Sequence, residues 1–167
     1  ELSKPRKFEN LPVGEKSYSC MFFFKDTVGP SEGKWRNLIH KGHTTHDRQP
    51  AAFLYCCNES NVGFWTSSGK GNEWSQVGGK VAYNVNEWNH WAIIVNGDKG
   101  VGYVNGKSYK FIIKGGANVD PSTPLLSPSP WNPANYNGVF ISGLSWSPNA
   151  VSEKLIKNHM KLLKPAM

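Results

Sequence analysis

The sequence has no long apolar run, few cysteines and few aspartates, and each shortage argues against a class of protein. No stretch of about 18 apolar residues occurs among the 167 residues, so we expect no membrane-spanning helix. Three cysteines cannot form a disulfide framework. The four aspartates are widely separated, which offers calcium no cluster of oxygen ligands in sequence. Charged residues make up only 19% of the chain, too few for a disordered protein of high charge.

The cysteines leave the cellular compartment open. Cys20 lies in an apolar run and is expected to be a buried thiol. Cys56 and Cys57 are neighbours whose side chains would face opposite ways in a strand, so a bridge from Cys20 could reach one or the other. Asn58-Glu59-Ser60 is a glycosylation sequon, which is usable only in a secreted protein.

Basic residues are concentrated at the two ends of the chain. Of the formal net charge of +7, residues 1–7 carry +2 and residues 153–164 carry +3. The near-neutral middle argues against a nucleic-acid-binding domain. The charged ends instead form a candidate basic patch for an acidic partner, made of Arg6, Lys7, Lys154, Lys157 and Lys161.

Short apolar runs separated by turn residues predict an antiparallel β-sheet protein. The strongest strand is predicted over Trp88–Val95, and Asn105-Gly106 has the residue types that a type I′ hairpin requires between two further strands. Five prolines within Gly115–Gly138 predict a long surface loop or an excursion at a sheet edge. A last strand is predicted over Val139–Trp146, with Gly143 at a bulge.

One helix is predicted, over Pro148–Leu163, with Asn149 as its cap. At 100° per residue one side of this helix is apolar and is expected to dock on the domain; it carries Val151, Leu155, Ile156, His159, Leu162 and Leu163. Many short strands with one terminal helix indicate an all-β fold, an antiparallel two-sheet β-sandwich of the jelly-roll type.

The stretch from Asn86 to Val95 resembles the Trp-x-His-hydrophobic-Ala strand of laminin-G-like, concanavalin A-like domains. Tyr103–Lys107 is similar to the Tyr-Val-Asn-Gly-Lys turn that follows it in that family, and weaker similarities extend over about residues 15–163. Together with the charge and helix patterns, the resemblance predicts three parts: a basic lead-in over 1–14, a laminin-G-like sandwich over 15–147 and an amphipathic C-terminal helix over 148–167 packed on the sandwich.

The resemblance also implies a glycan-binding or protein-binding module at the cell surface or secreted, within a larger protein. An intracellular location stays open. Many members of the family bind calcium through acidic loop residues, which this chain lacks, so no cofactor is expected. The family's acidic pair before its last strand residues is replaced here by Ser142-Gly143-Leu144.

No catalytic residues are predicted. Glucanases of this fold need two carboxyls on one strand face, arranged as Glu-x-Asp-x-x-Glu, and this pattern does not occur in the sequence. Glu59, Glu73 and Glu87 recur every 14 residues but fall in or beside predicted turns. Imidazoles suit zinc or copper, which makes one segment a weak metal candidate: His40, His43, His46 and Asp47.

Aromatic residues in polar loops are the main binding candidates, because such rings stack on sugars or anchor a protein partner. The candidate ligand-binding residues are Asn72, Trp74, Trp131, Asn132 and Tyr136, together with His43 and His46. We therefore expect a non-catalytic recognition module that binds glycan or protein through inter-strand loops. The alternatives are a scaffolding domain that docks an acidic partner through its basic ends, and a divergent glycoside hydrolase or a module attached to an enzyme.

Overall fold

The computed structural model describes residues 6–30, 35–44, 46–56, 59–68, 74–76, 81–127 and 138–166. These residues form twelve β-strands and one α-helix. In chain order they are β1 (Arg6–Phe8), β2 (Ser17–Asp26), β3 (Arg36–Lys41), β4 (Ala51–Leu54), β5 (Asn61–Ser67), β6 (Trp74–Gln76), β7 (Val81–Ala82), β8 (Trp88–Asn96), β9 (Lys99–Val104), β10 (Lys107–Ile112), β11 (Leu125–Ser127), β12 (Val139–Ser147) and α1 (Glu153–Leu162).

The strands form two antiparallel sheets that pack face to face. The seven-stranded sheet has the order β1-β11-β3-β4-β5-β6, with β7 also paired to β5, and the five-stranded sheet has the order β10-β9-β8-β2-β12. Alternate residues of both sheets, such as Phe22 and Phe24 on β2 and Phe64 on β5, meet in one apolar core. The predicted two-sheet sandwich with one C-terminal helix is confirmed.

The central hairpin is confirmed, and its turn has the predicted geometry. Strands β9 and β10 pair from Lys107 opposite Val104 to Ile112 opposite Lys99. Asn105 and Gly106 both have positive φ, +50° and +82°, as a type I′ turn demands. The bulge expected at Gly143 is also present, because φ there is +62° and the register of β12 against β2 shifts between Ser142 and Ser145.

The proline-rich segment differs from its prediction as a loop or edge. Leu125–Ser127 forms β11, which lies between β1 and β3 inside the seven-stranded sheet. Leu125 is buried in the core. A strand of three residues directly after Pro124 has no recognisable apolar period, which is why the sequence pattern did not reveal it.

The N-terminal segment and Cys20 both belong to the sandwich. Residues 6–8, within the expected lead-in, pair with β11. Cys20 is a free thiol in the core, and burial raises its pKa above the usual range. The alternative bridge from Cys20 to Cys56 or Cys57 is therefore wrong.

The helix begins at Glu153, later than predicted. The cap is Ser152 and not Asn149, since the Ser152 hydroxyl accepts a hydrogen bond from the Leu155 amide at 3.3 Å. The Asn149 carbonyl instead accepts a hydrogen bond from Ser19 at 2.8 Å, which holds the segment before the helix on β2. The described part of the chain contains no helix with the length and apolarity that crossing a bilayer requires.

The helix lies on the outer face of the five-stranded sheet, where Ile156 packs against Met21, Ala92 and Tyr103. Its apolar side docks only in part. Ile156 and His159 are buried. The exposed members are Leu155, Leu162 and Leu163, contrary to the prediction, because the contact patch on the sheet is narrower than the apolar side of the helix.

A buried histidine pair joins α1 to the sheet. His159 Nε2 lies 3.0 Å from the Gly143 carbonyl, which can only accept, so this nitrogen carries the proton. His159 Nδ1 then accepts a hydrogen bond from His90 Nε2 at 3.0 Å. Burial and the neighbouring His159 lower the pKa of His90 to about 4, and burial also lowers the pKa of His159. Both rings are therefore neutral at pH 7, and Phe23 stacks on His159.

We predict that Gly106→Val lowers the free energy of unfolding by more than about 1 kcal/mol, because a β-branched residue is strained at positive φ. Urea denaturation of the variant measures this loss. The matched control is Lys107→Val, which places the same side chain at the next residue, an exposed strand position. It should shift the urea midpoint less. An unchanged midpoint for Gly106→Val would contradict the assigned turn.

The histidine pair predicts a loss of stability in acid. Since the pKa of His90 is depressed from 6.5 to about 4 in the folded state, its stabilising contribution is complete above pH 6.5 and is lost as the pH falls towards 4. His90→Gln keeps a donor to His159 but does not titrate. Between pH 6.5 and 4, the free energy of unfolding of this variant should therefore fall by on the order of 2 kcal/mol less than that of the wild type. Denaturation at a series of pH values measures the difference.

The control for this prediction is His43→Gln, which removes an exposed histidine. It should keep most of the loss of stability that the wild type shows between pH 6.5 and 4. Identical profiles for the wild type and His90→Gln would show that the pair does not carry the acid sensitivity.

Candidate functional site

The outer face of the seven-stranded sheet carries a cluster of aromatic side chains. Strand alternation sends Ala52 and Leu54 of β4 into the core, and therefore turns Phe53 outward. Phe53 and Trp65 of β5 form the base of the cluster, and Trp35 and Tyr55 pack against it. We call these four residues the aromatic face.

The rings of the aromatic face are held in a fixed arrangement. Phe53 and Trp65 meet edge to face at 4.9 Å, and the centroids of Trp35 and Tyr55 are 4.7 Å apart. A side chain at Gly63 would collide with Trp65, since a Cβ there would lie 2.2 Å from the ring. The Arg48 guanidinium lies 5.2 Å from the centre of the Phe53 ring, at a cation–π distance.

The two layers of the aromatic face differ in exposure. Phe53 and Trp65 are only 9% and 4% exposed, whereas Trp35 and Tyr55 are half-buried. The buried base fixes the upper rings, so little conformational entropy remains to be lost when a ligand binds them. Rigid, partly exposed rings of this kind suit stacking against the C–H face of a sugar or anchoring a protein side chain.

Polar residues at one end of the same sheet tie two loops together. Asp47 accepts hydrogen bonds from the His43 amide at 3.0 Å, from Gln49 at 2.7 Å and from Asn118 at 3.2 Å. His43 Nε2 lies 3.6 Å from the Asp120 carboxylate. This network holds the loop between β3 and β4 against the segment that leads to β11.

Lys41, which the sequence analysis did not single out, also binds the segment that leads to β11. Its ammonium group donates to the Asp120 carbonyl and to the Thr123 hydroxyl. Burial lowers the pKa of Lys41 to about 8.

The weak metal candidates do not form a site together. His40 is buried, and its Nε2 donates to the carbonyls of Thr44 and Asp47, at 3.0 and 2.8 Å. Burial lowers the pKa of His40 to about 4. His46 is held through its carbonyl, which accepts a hydrogen bond from Ser67 at 2.8 Å. Within the ranges that the structure describes, no three His, Cys, Asp or Glu side chains are grouped to hold an ion.

Most of the predicted loop residues fall outside the described residues. These are Asn72, Trp131, Asn132 and Tyr136. Trp74 belongs to β6, where it pairs with Ser67, but its side chain also lies outside the described part. The loop hypothesis for these five residues stays a prediction. His43 and His46 are exposed at the end of the sheet that carries the aromatic face.

The basic patch is divided between the two sheets. Arg6 and Lys7 are on β1 at the edge of the seven-stranded sheet, and Lys7 pairs with Glu9 at 2.5 Å. Lys154, Lys157 and Lys161 are on α1, which covers the five-stranded sheet. The two groups therefore do not share a sheet face.

The aromatic face was missed at the sequence level for an identifiable reason. All residues from Ala51 to Tyr55 are apolar, so composition alone does not show which of these side chains face outward. Phe53 and Tyr55 alternate with Ala52 and Leu54, and this period of two was the available signal. The contribution of Trp35 and Arg48 depends on strand pairing, which the sequence did not define.

The chain belongs to the concanavalin A-like lectin/glucanases superfamily, whose model matches residues 6–156. This confirms the family resemblance. No curated protein sequence gives a significant match.

Solved structures with the same fold include receptor-binding domains of botulinum neurotoxins. The binding domain of botulinum neurotoxin DC in complex with SialylT is 11% identical, with a TM-score of 0.65 over 93% of this chain and 46% of that chain. The same domain in complex with rat synaptotagmin II gives 12% identity, a TM-score of 0.64 and coverage of 95% and 46%. The serotype D binding domain is 10% identical, with a TM-score of 0.67 over 96% of this chain and 43% of that chain. This chain thus spans less than half of each toxin domain, and the likeness shows the fold.

We predict that removing divalent metal leaves the fold unchanged, because no acidic cluster is present in the described residues. Thermal unfolding with and without EDTA measures this. A fall in melting temperature of more than about 4 °C, which corresponds to ~1 kcal/mol in a small domain, would contradict the prediction, provided that added calcium or zinc reverses it.

Proposed function

We propose that this domain is a non-catalytic recognition module that binds a glycan on the aromatic face and the inter-strand loops beside it. One observation carries the proposal. The ring centroids of Trp35 and Tyr55 lie 4.7 Å apart, and both rings are half-buried. They pack on Phe53 of β4 and Trp65 of β5, which are central strands of the seven-stranded sheet. An aromatic cluster on the outside of a sandwich contributes nothing to the main core, which is consistent with a binding role.

The comparisons support recognition as the class of function. The family includes lectins by its description. Among the similar toxin domains, one structure is a complex with SialylT and another is a complex with a protein, rat synaptotagmin II. We favour a glycan for the aromatic face, because fixed flat rings next to the Arg48 guanidinium fit the apolar face and the hydroxyls of a sugar.

The proposal of a non-catalytic module is supported by the placement of the acidic residues. Glu59 accepts a hydrogen bond from Asn61 at 3.1 Å, and Glu87 accepts one from Asn84 at 2.9 Å. Both lie between strands, and Glu73 lies outside the described residues. Retaining hydrolysis needs two carboxyls about 5–5.5 Å apart on either side of the scissile bond. We therefore predict that the domain releases no reducing ends from any glycan that it binds. Hydrolysis by the wild type that disappears in Glu59→Gln or Glu87→Gln would contradict this part of the proposal.

A second candidate is docking of an acidic partner through the basic residues. The observation that favours it is a row of exposed lysines on α1, namely Lys154, Lys157 and Lys161. Such docking would weaken steeply with salt, because exposed charges are screened within about 8 Å at physiological ionic strength. Glycan stacking on the aromatic face should hardly respond to salt.

We predict that Trp35→Ala weakens binding of a neutral glycan, identified on a glycan array, by about tenfold or more, equivalent to ~1.4 kcal/mol. The variant removes one of the two upper rings and leaves the buried base in place. Isothermal titration measures the affinity. Trp146→Ala truncates a half-buried tryptophan on the other sheet and is the matched control, which should bind like the wild type.

Two outcomes would contradict the placement of this site. Equal losses in Trp35→Ala and Trp146→Ala would show that truncation acts through the fold. A loss confined to Trp74→Ala and Trp131→Ala would move the binding surface to the loops alone.

A further inference from the structure

A second concave site lies on the opposite sheet, between α1 and the end of β8. It is a groove of about 630 Å³ that includes Trp88, Phe23 and His90 on the sheet side. This size is within the range of small-molecule sites. In the sheet, Trp88 lies directly opposite Lys25 of the neighbouring strand β2. We call this feature the helix groove.

The charge of the helix groove is strongly unbalanced. Lys157 and Lys161 line it from α1, because residues four apart fall on one side of a helix, and Lys164 lines it from the segment that follows the helix. Lys157 pairs with Glu153 at 2.7 Å, but within the described part of the chain no acidic side chain forms an ion pair with Lys161 or Lys164. The acid on the opposite wall is Glu87. Two lysines are thus available for an anion.

The remaining walls suit a sugar ring. The half-buried Trp88 indole is fixed by a hydrogen bond from Nε1 to the Ala166 carbonyl at 3.2 Å. The Asn105 amide nitrogen donates to Asn89 at 3.0 Å, and the Asn84 amide nitrogen donates to Glu87. Each amide nitrogen carries two hydrogens, so each has a second donor for a hydroxyl.

We propose that the helix groove binds a carboxylate-bearing saccharide. The indole of Trp88 stacks on the ring, Lys161 and Lys164 hold the carboxylate, and Asn105 and Asn84 donate to hydroxyls. A neutral sugar would leave the lysine charges uncompensated. This site is independent of the aromatic face, because the two share no residue and lie on different sheets.

Digalacturonic acid and its methyl diester are the probes, because esterification removes both negative charges and adds only two methyl groups. Titration followed by NMR of the tryptophan indole N–H signals should show saturable shifts of the Trp88 signal with the acid. Binding of the ester should be at least about tenfold weaker, a difference of ~1.4 kcal/mol. Affinity for the acid should fall as salt rises, because the lysines are exposed.

Variants of α1 test which charges matter. Lys161→Gln should weaken binding of the acid severalfold, while Lys154→Gln, which removes the same charge from the same helix outside the groove, should not. Trp35→Ala should bind the acid like the wild type, which separates this proposal from the function proposed for the aromatic face. The proposal is overturned if the Trp88 signal does not shift, if acid and ester bind equally, or if the two lysine variants weaken binding alike.

Discussion

The buried ion pair between Asp26 and Arg36 is the interaction on which the two-sheet arrangement depends. Two parallel hydrogen bonds join the side chains, at 2.7 and 2.6 Å, and Tyr83 donates to the same carboxylate. Burial alone would raise the pKa of Asp26, but the bonds from Arg36 and Tyr83 hold it below its usual value. Removing one partner would leave a buried charge uncompensated, which typically costs about 3–5 kcal/mol.

This pair lies where the chain crosses between the sheets. Asp26 ends β2 of the five-stranded sheet, and Arg36 begins β3 of the seven-stranded sheet. Tyr83 belongs to another crossover, from β7 to β8, and the Asn86 amide donates to the Asp26 carbonyl at 2.8 Å. Both crossovers are thereby tied to one carboxylate. Trp35 directly precedes Arg36, so the same pair fixes the chain at the point where it enters the aromatic face.

Features that depend on neighbouring residues were predictable from the sequence, and features that depend on pairing were not. The Asn105-Gly106 turn and the Gly143 bulge follow from local backbone preferences. Strand β11 was missed because three residues between prolines have no recognisable period. The exposed leucines of α1 could not be foreseen, because helix amphipathicity shows which side is apolar and not how much of it the sheet can cover. Arg36 also carried no signal, since its partner ten residues earlier is defined only by the crossover.

The central claim is that the outer face of the seven-stranded sheet is the glycan surface. The most direct measurement is the NMR response of the indole N–H signals to a neutral glycan selected on an array. The account predicts that the signals of Trp35 and Trp65 shift and saturate together, while that of Trp91, buried between the sheets, stays unchanged. Shifts confined to Trp74 and Trp131, with Trp35 and Trp65 unmoved at saturation, would contradict it.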